Sequence, residues 1–382
     1  MATLNAKGTQ RISSVLQGHI DAGRIPGAVA MVALGGKPAF SAALGAQDPV
    51  ARTPMQPDAI FRIYSMTKPI VSLAALMLVE QGRLQIGDPI AKYLPVFAGQ
   101  QVAVDEGGER RLVPVQREAT VQDLLRHTAG FTYEFLGDSA VQKQYQTVDI
   151  TSRDRSSAEF CQVLASVPLA HQPGSCWQYS RATDVLGALL EVMTGKPLGV
   201  LLQEEILGPL EMKDTAFYVP QAQQHRIAEA FASDPETGAP VVMMDGRVVP
   251  RFESGGGGLL STLADYARFL QLMRGRGSLE GVRLVSRKTI DWMTADHLGK
   301  IPANGDMLIP GHGFGLGFAV RTQLGLAPTA GSVGTYFWTG IGGTSFLVDP
   351  AEDMFAILLT QAPGQRIFIR NLFRQLVYAA LD

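Results

Sequence analysis

The chain has 382 residues, with 33 lysines and arginines against 35 aspartates and glutamates, for a formal charge of −2. A hydrophobic share of 46% and a charged share of 18% belong to a globular chain with ample core. No basic cluster points to nucleic acid, and no apolar run reaches membrane-spanning length.

In chain order, the first segment reads as a helix, with Ile12, Val15, Leu16 and Ile20 on one face and Gly23 as its stop. Ala28 to Leu34 and Ala39 to Leu44 are apolar runs separated by Gly35-Gly36-Lys37-Pro38, a hairpin pattern. A loop rich in proline and aspartate leads to a helix starting near Ser65. Its positions Ile70, Leu73, Ala74, Met77 and Leu78 mark it as central and buried, and Gly82 ends it. Val102 to Val115, centred on Gly107-Gly108, reads as a two-stranded excursion. Thr120 to Asp123 has the pattern of a capping box. Ser156 or Ser157 is expected to cap a helix through Val167, and Ser180 one that ends at Gly195. Val241 to Met244 and Arg247 to Pro250 flank Asp245-Gly246, a hairpin turn signal. Thr262 and Asp265 open a helix through Met273, and Ser286 begins another. Phe314 to Val320, Thr335 to Thr339, Thr344 to Val348 and Met354 to Leu359 read as strands. Gln365 to Leu381 reads as a final amphipathic helix. Strands at both ends with helices between them predict a sheet domain interrupted by a helical insertion, the two sharing one cleft.

Ser65-Met66-Thr67-Lys68 puts a hydroxyl and an amine three residues apart at a helix start, on one helix face. A serine needs a neighbouring base to react, and a helix N-terminus stabilises developing negative charge. Trp177-Gln178-Tyr179-Ser180 offers a phenol in a loop entering a helix, which could relay a proton, although a core tyrosine would read the same. Tyr336 to Thr344 is an aromatic strand end running into Gly340, Gly342 and Gly343. Such an edge lets a backbone N–H approach a carbonyl closely, and a tight turn with packed aromatics is the plainer alternative.

These three segments, in this order and at these separations, resemble the serine enzymes that include class C β-lactamases, DD-peptidases and family VIII carboxylesterases. Supporting likenesses are His127-Thr128-Ala129-Gly130, Asp184 to Gly187 after Tyr179-Ser180, Gly255 to Gly258, and Phe314 to Phe318. The resemblance implies an α/β plus all-α fold of β-lactamase/DD-peptidase type. In it an antiparallel sheet flanked by helices (residues 1–60 and 226–382) carries an inserted helical domain (61–225), with the active site between them. It implies Ser65 as nucleophile, Lys68 and Tyr179 as the base, and the N–H groups of Ser65 and Ile341 as oxyanion donors. Trp338, Gly340, Trp177 and Arg181 are expected at the substrate. Trp338 stands where a β-lactamase keeps a lysine, and Arg181 where it keeps an asparagine, and both departures point away from antibiotic hydrolysis.

The expected activity is hydrolysis of short- to medium-chain carboxylic esters through an acyl-serine. A β-lactamase or D-amino-acid peptidase or amidase, an acyltransferase of the same fold, and a non-catalytic binding protein are the alternatives. No cofactor or metal is expected: the glycine runs lack phosphate-loop or dinucleotide spacing, and His297 and His312 do not form a helical pair. The expected partner is a small-molecule ester, with no nucleic acid or membrane and a homo-oligomer left open. Two cysteines, Cys161 and Cys176, and an N-terminus without an apolar signal core suit a cytoplasmic protein. Phe131 to Arg155, polar and rich in turns, is expected to be a selectivity loop over the cleft.

Overall fold

The computed structural model describes residues 2–106 and 109–382. Its centre is a sheet of eight strands: β1 (Gly27–Leu34), β2 (Lys37–Asp48), β3 (Thr53–Pro54), β4 (His312–Phe314), β5 (Ala319–Arg321), β6 (Tyr336–Thr339), β7 (Ser345–Asp349) and β8 (Met354–Leu359). The spatial order is β4-β5-β6-β7-β8-β1-β2-β3, and every neighbouring pair is antiparallel. The last strand of the chain therefore pairs with the first, which joins the two chain ends in one sheet.

Both faces of this sheet are covered, which is why β8 reads as an unbroken apolar run instead of alternating and every residue of β7 is buried. Among the described residues ten α-helices accompany the sheet: α1 (Ala6–Asp21), α2 (Thr67–Glu80), α3 (Val121–Leu125), α4 (Ala140–Thr147), α5 (Ser157–Ala165), α6 (Ala182–Thr194), α7 (Leu198–Leu202), α8 (Leu263–Arg274), α9 (Arg287–Met293) and α10 (Arg366–Tyr378). Register separates the faces. Trp338 pairs with Phe346, whose ring lies 5.3 Å from Tyr266 of α8. Phe337 pairs with Leu347 and lies under Arg374 of α10. Successive residues of β6 thus face opposite helical layers.

α2 is buried from Thr67 to Leu78, so it carries apolar residues all round. Pro69 falls in its first turn, where its missing N–H breaks no helical bond. Gly82, at φ +68°, closes it in the left-handed conformation that favours glycine. Around α2 pack α6 and α7, and α3 and α5 lie against α6. Among the described residues no single helix is long and apolar enough to cross a membrane.

Several local expectations change. The first hairpin turns on Gly35-Gly36 alone, both at positive φ as a type I′ turn requires, so Lys37 and Pro38 already belong to β2. The excursion near 102–115 forms as Gln101–Glu106 paired with Glu109–Pro114, but the Gly107-Gly108 centre lies outside the described residues, as does Met1. No hairpin forms about Asp245-Gly246. The backbone there bonds elsewhere: Val241 N donates to Ala232, Met244 N to the Tyr64 hydroxyl, and the Met244 carbonyl accepts from Arg62 Nε. Phe314 to Val320 is not one strand, because it turns through Gly317 (φ +106°) from β4 into β5. Ser180 does not cap α6; the N-cap position is Arg181. α5 stops at Ala165, and the last helix spans only Arg366–Tyr378. The 131–155 segment contains α4 and is not wholly loop.

The capping box at Thr120 forms, and its Asp123 does more than cap. Its fully buried carboxylate accepts from Arg117 (2.5 and 3.0 Å), Arg126 (3.1 Å) and the Thr128 hydroxyl (2.6 Å). This ties down the turn at His127, whose carbonyl takes the Gln178 N–H at 2.9 Å. Burial pushes the Asp123 carboxyl up, but the bonds from Arg117, Thr128 and Thr120 N outweigh it and hold it at about 2. Because this lies below the unfolded value of 3.8, unfolding takes up a proton between the two. The contribution is whole above about pH 4 and is lost as pH falls towards about 2. Asp123→Ala strands two arginines, so urea unfolding should register a loss of about 3–5 kcal/mol at neutral pH that shrinks in acid.

Candidate active site

Sequence-distant residues meet at the N-terminus of α2. Tyr64 takes φ +45°, rare for a bulky residue, and a short 3-10 turn, Tyr64–Met66, follows it. That sharp entry presents Ser65 to a cavity of about 430 Å³, while the Tyr266 hydroxyl holds the Met66 carbonyl at 2.9 Å. Strain of this kind concentrates at functional sites.

Tyr179 Oη donates to Ser65 Oγ at 2.6 Å, and Lys68 Nζ reaches the same oxygen at 3.2 Å. The Lys68 side chain is fully buried. Its other two donors go to Tyr133 Oη at 3.0 Å and the Gly256 carbonyl at 2.5 Å, so each of an ammonium's three hydrogens has an acceptor. Nζ also lies 4.7 Å from the centre of the Tyr179 ring, and Trp338 Nε1 donates to Tyr179 Oη at 3.3 Å. The Tyr179 oxygen thus lies between the Ser65 hydroxyl and the Trp338 indole N–H, with the Lys68 amine beside its ring.

The glycine run from Gly255 to Gly258 has a defined task. Asp184 Oδ1 accepts the Gly256 N–H at 2.9 Å and also the Ser254 hydroxyl, which aims the Gly256 carbonyl at Lys68. A Cβ on Gly256 would come within 2.7 Å of Asp184 Oδ2, and one on Gly255 within 2.6 Å of the Thr183 carbonyl. On the opposite side the turn after β6 closes on the serine. A Cβ on Gly340 would meet the Ile63 carbonyl at 2.5 Å, so only glycine brings Ile341 this close. Among the described residues neither Ser65 N–H nor Ile341 N–H donates a hydrogen bond, and both residues line the cavity.

Of the residues singled out from sequence, Ser65, Lys68 and Tyr179 come together, and Trp338, Gly340, Ile341 and Arg181 stand in or beside the cavity wall. Arg181 is engaged already: it pairs with Glu134 at 2.7 Å and lies 4.8 Å over the Tyr133 ring. Trp177 is a correction. It is fully buried behind Tyr179, packed on Phe314 at 5.4 Å between ring centres, and does not line the cavity. Its backbone explains the position, since its N–H and carbonyl pair with Pro302 and Asn304.

Tyr133 was the residue missed. Nothing local marks it, because its contact with Lys68 spans 65 positions. Burial, and then the neighbouring Tyr179 and Asp184, push its phenol well above the ordinary tyrosine value. Behind the site, burial and then Lys68 hold His127 well below the usual histidine range, so it packs against the Tyr179 ring as a neutral group. Six residues of the 131–155 segment line the cavity: Tyr133, Glu134, Phe135, Leu136, Thr151 and Arg153. His297 and His312 lie elsewhere, bonded to the carbonyls of Trp292 and of Ile309 and Pro310.

An antiparallel sheet flanked by helices, with a serine at a helix N-terminus beside a lysine and a tyrosine, defines a serine hydrolase of the β-lactamase and penicillin-binding-protein fold. The chain belongs to the Beta-lactamase family, whose model matches residues 12–379. It is similar to Protein Rv1367c of Mycobacterium tuberculosis, 36% identical over 351 residues that cover 89% of this chain and 87% of that protein. It is likewise similar to Esterase EstB of Burkholderia gladioli, 34% identical over 375 residues covering 92% and 89%. Among solved structures it resembles EstCE1, described as a hydrolase with promiscuous acyltransferase activity, at a TM-score of 0.80 and 26% identity over 97% of this chain and 99% of that one.

Gly256→Ala tests the support beneath Lys68. The added methyl must move either Asp184 or the carbonyl, and a displacement near 1 Å is expected to slow labelling of the serine by a fluorophosphonate about a hundredfold, read by mass spectrometry on the folded variant.

Proposed function

We propose that this protein is a carboxylesterase that hydrolyses short- to medium-chain esters through an acyl-serine intermediate. The observation that carries the reading is the Tyr179–Ser65–Lys68 cluster at one end of an apolar-walled cavity. Tyr179 and Lys68, at 2.6 and 3.2 Å from Ser65 Oγ, act together as the base, the pair holding one proton fewer than a phenol and an ammonium would. Ser65 Oγ attacks the ester carbonyl as its proton passes to the vacant proton site of the Tyr179–Lys68 pair. The carbonyl oxygen, now negative, is held by the free N–H groups of Ser65 and Ile341. Tyr179 then returns the proton to the departing alcohol. Water attacks the acyl-serine along the same path, with Tyr179 again taking and returning a proton.

Support for esters over β-lactams comes from Trp338, an uncharged indole at the end of β6, and from likeness to Esterase EstB. Acyl transfer to a bound alcohol is the second reading, favoured by likeness to EstCE1 and by a cavity large enough for an acceptor. The reading includes a cytoplasmic location, consistent with two free cysteines and testable by cell fractionation.

The decisive measurement is turnover of a short-chain 4-nitrophenyl ester beside a chromogenic cephalosporin. The ester is expected to be strongly preferred. Ser65→Ala and Lys68→Ala should each lose about a thousandfold or more in kcat. Tyr179→Phe should lose about a hundred- to ten-thousandfold with little change in stability. Near-wild-type turnover in Ser65→Ala would refute the assignment, and a cephalosporin preference would return the chain to the β-lactam reading.

A further inference from the structure

An oxyanion forming at Ser65 needs two N–H groups at one fixed separation. The two assigned to it, on Ser65 and Ile341, belong to different elements: the 3-10 turn that enters α2 and the turn that follows β6. Nothing covalent sets their distance, so packing between the two turns must.

Ile341 stands between two glycines, and each presses on one of the two residues that precede Ser65. A Cβ on Gly340 would meet the Ile63 carbonyl at 2.5 Å, and one on Gly342 would come within 2.8 Å of Tyr64 Cε2 and 3.0 Å of Cδ2. The Thr344 hydroxyl donates to the same Ile63 carbonyl at 3.3 Å. Bonds inside the turn, from Gly340 N to the Thr344 carbonyl at 2.8 Å and from Gly343 N to the Gly340 carbonyl at 3.1 Å, fix its shape. Where that shape stands relative to the serine is fixed by Ile63 and by the ring of Tyr64.

Tyr64 is itself held at both ends. Its backbone takes φ +45°, which persists in a bulky residue only where the surroundings impose it. At the far end its hydroxyl accepts the Met244 N–H at 2.9 Å and donates to Met243 Sδ at 3.9 Å. The Met244 carbonyl accepts from Arg62 Nε, so one segment grips the chain on both sides of Ile63. Burial pushes the Tyr64 phenol above the ordinary tyrosine value, so the hydroxyl keeps the proton it donates.

We propose that Tyr64 is a positioning residue for the oxyanion site: its backbone aims the Ser65 N–H, and its ring, lying against Gly342, sets the distance to the Ile341 N–H. This rests on the acyl-serine reading above and assigns a role outside the Ser65–Lys68–Tyr179 cluster.

The experiment compares 4-nitrophenyl acetate with its thiono analogue, in which C=S replaces C=O. Sulfur is larger and accepts hydrogen bonds weakly, so two well-placed N–H groups favour the oxygen ester. Tyr64→Gly removes the ring and suits the positive φ. It should lower kcat on the oxygen ester about a hundredfold, with KM within about twofold, and lower the oxygen-to-sulfur ratio of kcat/KM about tenfold or more. Tyr64→Phe keeps the ring and loses only the hydroxyl bonds, so the ratio should fall by less, about threefold. Gly342→Ala works from the other side, because its methyl must displace the ring; it should lower the same ratio, and it decides the matter alone if Tyr64→Gly does not fold. Added to Tyr64→Gly, the same methyl finds the ring gone and should cost less than it does by itself. An oxygen-to-sulfur ratio that is absent in the wild type or unchanged in the folded variants overturns the inference, as does a loss carried by KM alone. Retained turnover of the oxygen ester by Ser65→Ala overturns the acyl-serine reading instead, so the two failures are distinguishable.

Discussion

Lys68 brings its amine into a fully buried position, and among the described residues no carboxylate bonds to it. An uncompensated buried cation costs several kcal/mol, so every acceptor around it matters. Three elements far apart in sequence supply them: the serine on the preceding turn, the phenol of Tyr133, and the carbonyl of Gly256. The negative charge stands one step further out, on Asp184, which grips the N–H of the same glycine. Much of the local architecture follows from this demand. Glycines at 255 and 256 are needed because any side chain there would strike α6.

A cation solvated by neutral acceptors differs from one clamped in an ion pair. A carboxylate directly on Lys68 would absorb its field. With the nearest carboxylate one step removed, the amine bears directly on Tyr179 and Ser65, the groups between which the proposed mechanism moves a proton. Tyr179 receives a second contribution from the Trp338 indole, so one residue both bounds the cavity and donates to the phenol.

The architecture was legible from sequence to the extent that it depends on local pattern. Apolar runs at both chain ends, the buried helix after Ser65 and the capping box at Thr120 were all readable, because period, caps and glycine stops are properties of short segments. Errors arose where tertiary contacts overrode a local signal. Asp245-Gly246 has the composition of a hairpin turn, but the neighbouring backbone finds better partners in Ala232, Tyr64 and Arg62. Trp177 looked like a cleft residue because it adjoins Tyr179, yet the chain alternates there and sends the indole into the core.

The sequence by itself determined which chemical groups are available: a serine and a lysine one helical turn apart, a tyrosine at a loop end, and a tryptophan before a glycine turn. Spacing within one helix is set by covalent geometry, so Ser65 and Lys68 could be placed together without any fold. Only the tertiary structure decided that Tyr179, Tyr133 and Gly256 converge on that pair, and that the glycine turn after β6 closes on the residues before the serine. Those approaches span tens to hundreds of residues and depend on sheet register and helix packing, which no local pattern encodes.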